Sequence, residues 1–391
     1  MKQRGITGIF NRRTMMVAGG AALLAGCQTI IPRGAEPTQP TRPTPTPEPS
    51  ATALPQDETR HRIALLVPMS GTNGAVGQSI ANATTMAVLD TNADNLRITT
   101  YDTAANAREA ARRAVADGNK LILGPLMGGN VAAILAEARP AGIPLVSFSN
   151  DTGAASPDAF IMGHIPEQSI ATSVQFARSR GARDFAVLSP GGEYGRRAEA
   201  ALQGTVQDYG GRVVGVERYA RGNTSIVSAA QRLATRGGFD TVLLAEGPRL
   251  AVQAAGQLNP NGSGQTRLIG TELWSGERSV TRAASLRGAI FSAVSDNRYR
   301  RYADSYEARF GNQPYRISTL GYDAVLLVLK ISRDWRVGRD FPVSELRDQG
   351  GFLGVDGPFR FQRNGVVQRA MEVREVRDGQ VVTVQDAPGG F

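Results

Sequence analysis

Between Arg60 and Ser295, short apolar runs alternate with segments whose apolar residues recur at helical spacing, and this alternation leaves few folds open. Residues 62–67 form an apolar run ending at Pro68, the pattern of a strand buried on both faces. Residues 77–90 follow with Ile80, Ala83, Ala87 and Val88 on one helical face, then a strand over 96–101 and an alanine-rich helix over 104–117. A strand at 121–123 is stopped by Gly124-Pro125, a helix over 130–139 is closed by Gly142, and 144–148 is the next strand. The theme resumes with strands at 185–188, 212–216, 241–244 and 268–269, and helices at 194–209, 225–236 and 248–258. Strands this short cannot pair in parallel without crossover helices, so the pattern predicts βαβ units: parallel sheets with helices on both faces. The roughly 330 residues from Arg60 onward exceed what one core supports, which predicts two lobes.

After Ser295 the texture changes. Residues 298–310 and 317–335 read as helices, the second apolar nearly all round between Ala324 and Ile331 and therefore buried. From Phe359 the residues alternate, with Asn364-Gly365 and Asp378-Gly379 at turn positions, so the chain is expected to end in antiparallel strands.

The first 59 residues read differently. A basic stretch to Arg13 precedes an apolar run over 15–24 and then Ala25-Gly26-Cys27. The run is too short to span a bilayer and ends in small residues, the pattern of a signal peptide over 1–26. Leu24-Ala25-Gly26-Cys27 resembles the bacterial lipobox, which implies that Cys27 carries diacylglycerol and anchors the chain to a lipid bilayer. Arg12-Arg13 also resembles a twin-arginine signal, and the export route stays open. Residues 27–59 are expected to form a lipidated tether: proline and threonine dominate from Pro32 to Pro55, and repeated proline favours an extended spacer. Cys27 is the only cysteine, which excludes a disulfide framework and cysteine-based zinc sites. The formal charge of +9 owes four of its units to Lys2, Arg4, Arg12 and Arg13 ahead of Cys27, and no basic stripe interleaved with aromatics follows, so nucleic acid is not an expected partner.

The residues from Arg60 onward carry a family resemblance. The run from Ile63 to Gly71, followed by Gly77, Asn82 and Ala87, resembles the opening of the type I periplasmic binding proteins, the leucine/isoleucine/valine-binding group. Tyr101-Asp102-Thr103, Gly124-Pro125-Leu126, the stretch from Ile143 to Ser149, Glu193-Tyr194-Gly195, Gly321-Tyr322-Asp323-Ala324 and the stretch from Gly354 to Phe359 are similar to that family's later motifs, in order. The resemblance implies a two-lobed α/β clam with three interlobe crossovers. Lobe 1 is expected to comprise 60–164 and 296–353, and lobe 2 to comprise 165–295 and 354–391.

The resemblance also places a ligand cleft at the loops after the strands. Its candidate residues are Ser70, Gly128, Gly129, Asn130, Ser149, Asn150, Tyr194, Glu246 and Glu272. At the family's carboxylate-binding positions the sequence reads Met127-Gly128-Gly129-Asn130 and Ser149-Asn150-Asp151. Glycine amides at a helix start stand in place of serine hydroxyls, and Asp151 would repel a carboxylate. Glu272 matches the family's ammonium-binding acid, and is either a cation contact or an exposed loop glutamate. Tyr194 is either a ligand platform or a packed hinge aromatic, and His164 is expected to pack at the first crossover.

A lipid-anchored domain of this kind on a proline-rich tether is also similar to the penicillin-binding protein activators. That resemblance implies an outer-membrane-anchored periplasmic lipoprotein that contacts a class A penicillin-binding protein, and Gln28 fits outer-membrane sorting. The alternative is a solute-binding protein of an ABC transporter for branched-chain amino acids or amides, with a small polar ligand. The sequence holds no G-x-S-x-G, S-x-x-K, H-E-x-x-H or G-x-x-x-x-G-K-[ST], so neither catalysis nor a cofactor or metal is expected.

Overall fold

The computed structural model describes residues 59–221, 225–260 and 266–391. The expectations for the leader, Cys27 and the tether lie outside them.

The first lobe opens with β1 (His61–Val67), α1 (Gly74–Asp90), β2 (Leu96–Asp102), α2 (Ala107–Ala116), β3 (Leu121–Leu123), α3 (Val131–Ala138), β4 (Leu145–Ser147) and β5 (Ala159–Ile161). These strands form one parallel sheet in the order β2-β1-β3-β4-β5. Local chemistry sets the helix ends. The Asn106 side chain accepts the Glu109 amide at the start of α2, and Gly142, at φ 67°, ends the 3₁₀ turn after α3 where a left-handed residue is required.

The chain then crosses to the second lobe. This holds α4 (Pro166–Ser179), β6 (Asp184–Pro190), α5 (Glu193–Asp208), β7 (Arg212–Tyr219), α6 (Ser225–Arg236), β8 (Thr241–Leu244), α7 (Pro248–Leu258), β9 (Arg267–Ile269), α8 (Arg278–Arg282) and β10 (Ile290–Ala293). Pro166 and Pro248 each sit in the first turn of a helix, where the missing N–H goes unused. A second crossing returns to lobe 1 with α9 (Tyr299–Phe310) and α10 (Thr319–Ser332). Leu320, Ala324, Val325, Leu327 and Val328 of α10 bury themselves in the core that β1 and α1 begin.

The two lobes open alike. β1 and β6 each end before or at a proline, and the carbonyl of that proline presses on a glycine in the first turn of the next helix. A Cβ on Gly77 would lie 1.7 Å from the Pro68 oxygen, and one on Gly195 would lie 1.8 Å from the Pro190 oxygen. Only glycine permits that approach of strand end to helix.

The third crossing departs from expectation. Residues from Gly354 on were expected in lobe 2. Instead β11 (Phe352–Gly354), β12 (Gly357–Phe361) and β13 (Val367–Arg369) form a separate three-stranded antiparallel sheet, and Phe352, Phe359, Phe361 and Val367 share one buried cluster with Phe160 and Ile161. Phe361 meets Phe160 edge-on at 5.2 Å. Lobe 1 therefore keeps the chain to Arg369, and the crossing falls at Ala370-Met371. Beyond it, β14 (Glu372–Arg377) and β15 (Gln380–Gln385), turning at Asp378-Gly379, complete lobe 2 as antiparallel strands beside β10. The second sheet runs β15-β14-β10-β9-β8-β6-β7. The result is a two-lobed α/β fold of parallel sheets flanked by helices.

Candidate functional site

Between the lobes, at the carboxyl ends of the strands, lies a cleft of about 530 Å³. Lobe 1 contributes Asn73 and Val76 from the start of α1, Leu126 to Gly128 after β3, Phe148 to Asn150 after β4, and Arg316-Ile317. Glu272, Leu273, Ser275 and Glu277 come from lobe 2, and His164 from the first crossing.

Of the nine residues expected at the cleft, Gly128, Ser149, Asn150 and Glu272 line it. The other five do not. The Ser70 hydroxyl donates to Asp102 at the end of β2 at 3.1 Å. Gly129 and Asn130 continue the 3₁₀ turn leading into α3 and are not among the lining residues. Tyr194 is not among the lining residues; its hydroxyl donates to Thr271 Oγ1 at 3.1 Å and lies 3.5 Å from Glu272 Oε1, so it props the acid that does line the cleft. Glu246 has no free oxygen. It accepts from Arg221 Nε at 2.8 Å, from the Gly247 amide at 2.9 Å and from the Tyr219 hydroxyl. Burial alone would raise its pKa, but Arg221 and Tyr219 outweigh that and hold it below the usual range, as a structural carboxylate.

Glu272 is positioned by backbone geometry. β9 stops at Ile269, and Gly270 lets the Trp274 indole lie on the chain, since a Cβ there would be 2.3 Å from the ring. Trp274 is buried and its indole N–H donates to the Glu246 carbonyl at 2.9 Å, which pins the 3₁₀ turn Glu272–Trp274. That turn lifts Glu272 and Leu273 into the cleft. Glu272 Oε2 is shut off from solvent and has no hydrogen-bond partner among the described residues; Oε1 has only a long contact of 3.5 Å from the Tyr194 hydroxyl. Burial pushes its carboxyl up to about 7. An acid so placed lacks a donor.

Across the cleft, the loop after β4 is clamped. The Ser149 hydroxyl accepts the Asp151 amide at 3.0 Å, the Asp151 carboxylate accepts the Gly153 amide at 3.0 Å, and Gly163 of the first crossing donates to the Ser149 carbonyl at 3.1 Å. Arg197 of α5 reaches from lobe 2 to the Asn150 carbonyl at 2.8 Å while paired with Glu167 at 2.6 Å.

The hinge side of the cleft holds a group that sequence reading missed. His164, expected only to pack, lines the cleft and shares a 2.7 Å hydrogen bond through Nε2 with Asp356. Arg316 donates through Nη1 to the same carboxylate at 2.6 Å, and Thr319 adds a bond of 2.9 Å. Arg369, fully buried, reaches the Met162 carbonyl at 2.7 Å and lies 3.9 Å from both Asp356 and Asp323. Burial lowers the pKa of His164 against the pull of Asp356, leaving the imidazole on the neutral side of its ordinary range. Burial would raise Asp356, but Arg316, His164 and Arg369 hold it far below a normal aspartate. No local spacing announces this group, because His164 and Asp356 are 192 positions apart.

Among the described residues, no cluster of three or more His, Cys, Asp or Glu could hold a metal ion, and no helix is long and apolar enough to cross a membrane.

Comparison with known proteins agrees with this architecture. The sequence profile described as periplasmic binding protein matches residues 61–380. A curated relative, an uncharacterized protein of Rickettsia prowazekii, is 27% identical over 143 residues, which is 36% of this chain and 38% of that protein. Among solved structures, a putative branched-chain amino acid ABC transporter from Rhodospirillum rubrum superposes with a TM-score of 0.73 at 20% identity, over 83% of this chain and 100% of that one. A leucine binding protein from Thermotoga maritima gives 0.60 at 20% identity over 83% and 97%. A solute binding protein from R. palustris in complex with benzoate gives 0.63 at 17% identity over 85% and 97%. With the profile running through both sheets and the cleft between them, the chain belongs to the periplasmic binding protein family.

Proposed function

We propose that this protein is a solute-binding protein that takes a small ligand into the cleft between its lobes and serves an ABC transporter. One observation carries the reading: Glu272 lines the cleft and has a carboxylate oxygen without a hydrogen-bond partner, and a turn of its side chain toward the cleft would let a ligand supply the missing donor. A buried acceptor left unmade costs about 1–3 kcal/mol, and a bound donor recovers it. Family membership supports the reading, as do the fold neighbours described as amino-acid or benzoate binders.

The test is thermal unfolding against a broad panel of small metabolites. A true ligand at a hundredfold excess over Kd should stabilise the folded state by about 2.7 kcal/mol. Glu272→Gln should remove that stabilisation. It should also raise the melting temperature of the ligand-free protein above pH 7, because the burial cost of an ionised carboxylate is gone. Because Glu272 titrates near 7, a ligand that requires its ionised form should bind more tightly as pH rises to 7, by roughly tenfold per unit, and level off above it. A flat response to the whole panel would sink the reading.

The proposal includes export and lipid attachment at Cys27, with residence at the outer membrane. These draw on residues outside those described, as does activation of a class A penicillin-binding protein, which no feature of the described residues favours. A Cys27→Ala chain should fractionate with soluble periplasmic protein, whereas membrane retention would refute the anchor.

A further inference from the structure

A row of charges runs from one lobe to the other through the hinge, and it is broken at one place. On lobe 1, Asp356 holds Arg316 through Nη1 at 2.6 Å, and the Tyr299 ring lies 4.3 Å from the guanidinium carbon. On lobe 2, Arg374 of β14 gives Nε to Glu372 and Nη1 to Asp296 Oδ2, each at 2.6 Å, and Nη2 to the Val294 carbonyl at 2.6 Å. Asp296, in the second crossing, is thereby fixed to lobe 2. Arg298, two residues on, is tied instead to the Gly354 carbonyl of lobe 1 at 2.9 Å, so the crossing changes lobes at Asn297. Asp296 Oδ1 and Arg316 Nη2 face each other across the break at 3.6 Å. Both atoms are shut off from solvent, and neither has a hydrogen-bond partner among the described residues.

We infer that Asp296 and Arg316 form an interlobe latch, open in this arrangement of the lobes and made when they close further. A charge-assisted N–H···O bond runs about 2.7–2.9 Å, so the gap exceeds it by less than about 1 Å. Each of the two opposite charges is unsatisfied while the gap stays open, and one small motion satisfies both. Arg316 lines the cleft, so the break lies on the cleft side of the crossings: closure shortens it and opening lengthens it. Asp356 and Arg374 already hold the two side chains face to face, so little side-chain freedom is lost in making the bond. Asp296 and Arg316 act here as positioning residues through the lobes, and the latch stands whether or not the solute-binding reading does.

Pulsed electron spin resonance on the full chain tests it. Spin labels go on Ala136→Cys of α3 and Ala200→Cys of α5, exposed helix positions on opposite lobes, in a Cys27→Ser background that removes the only native cysteine. With no solute added, Asp296→Glu reaches one methylene further and should raise the ratio of closed to open distances about fivefold or more. Asp296→Asn keeps the shape without the charge and should lower that ratio. Glu372→Gln takes the other carboxylate from Arg374 but leaves the gap alone, and should keep the wild-type ratio. A ratio that Asp296→Glu leaves unchanged or lowers overturns the latch. So does one that Glu372→Gln moves as far as Asp296→Asn does, because the effect then lies in β14 rather than in the gap. Should Asp296→Glu fail to fold, a ratio unmoved by Asp296→Asn overturns it instead.

Discussion

Replacing Asp356 with alanine is expected to lower the stability of the protein by about 3–5 kcal/mol, the usual result of removing one partner from a buried ionic group. Asp356 is fully buried and receives His164, Arg316 and Thr319 directly. Its loss strands Arg316 and Arg369 without their main counter-charge. Arg369 already has Nε and Nη1 unpartnered, so nothing nearby takes over. Urea unfolding at pH 7 measures the change, and a loss below about 1 kcal/mol would mean the group contributes no net electrostatic stability. The pH dependence follows from direction alone. Asp356 is held below its ordinary value, so its contribution is complete above the pKa it has in the unfolded chain and fades as pH falls through that range. The gap between wild type and Asp356→Asn should therefore hold steady down to about pH 5 and narrow only as pH falls below about 4.

The second large effect concerns glycine. Gly77→Ala would put a methyl group 1.7 Å from the Pro68 oxygen and 2.7 Å from its carbonyl carbon, both backbone atoms that no rotamer change can move. Helix α1 must slide away from the end of β1, at a cost of about 3 kcal/mol or more. Asn73 and Val76, at the start of that helix, line the cleft, so ligand affinity should fall together with stability. Gly204→Ala is the control. It lies within α5 with nothing inside 4 Å, and should instead stabilise by about 0.4–1 kcal/mol. Equal melting temperatures for the two variants would refute the account of the strand–helix contact.

The repeated strand and helix patterns of both lobes could be read from local periodicity, because each strand is short, apolar and bounded by glycine, proline or polar residues. The same reading reached Gly128, Ser149, Asn150 and Glu272, since these follow strand ends and strand ends face the cleft. It failed where function depends on partners distant in sequence. Tyr194 and Glu246 also follow strands, yet Thr271, Tyr219 and Arg221 claim them, and nothing near either residue in the chain says so. Arg316, Asp356 and Arg369 are separated in sequence, and only the crossings bring them together around one carboxylate. The turn at Asn364-Gly365 announces a hairpin but not the lobe it joins. That is settled by Phe359 and Phe361 finding Phe160, a matter of packing rather than turn chemistry.

Placing the last crossing at Ala370-Met371 bears on how the chain matures as it is synthesised. The sheet begun by His61 lacks α10 and the β11–β13 cover until residue 369 has passed, so the half encoded first cannot close until nearly the whole chain has been made. The other half has five of its seven strands within residues 184–293 and needs only the final hairpin as an edge. A nascent polypeptide released early would present a nearly assembled second half beside an N-terminal sheet with one apolar face covered by α1 alone.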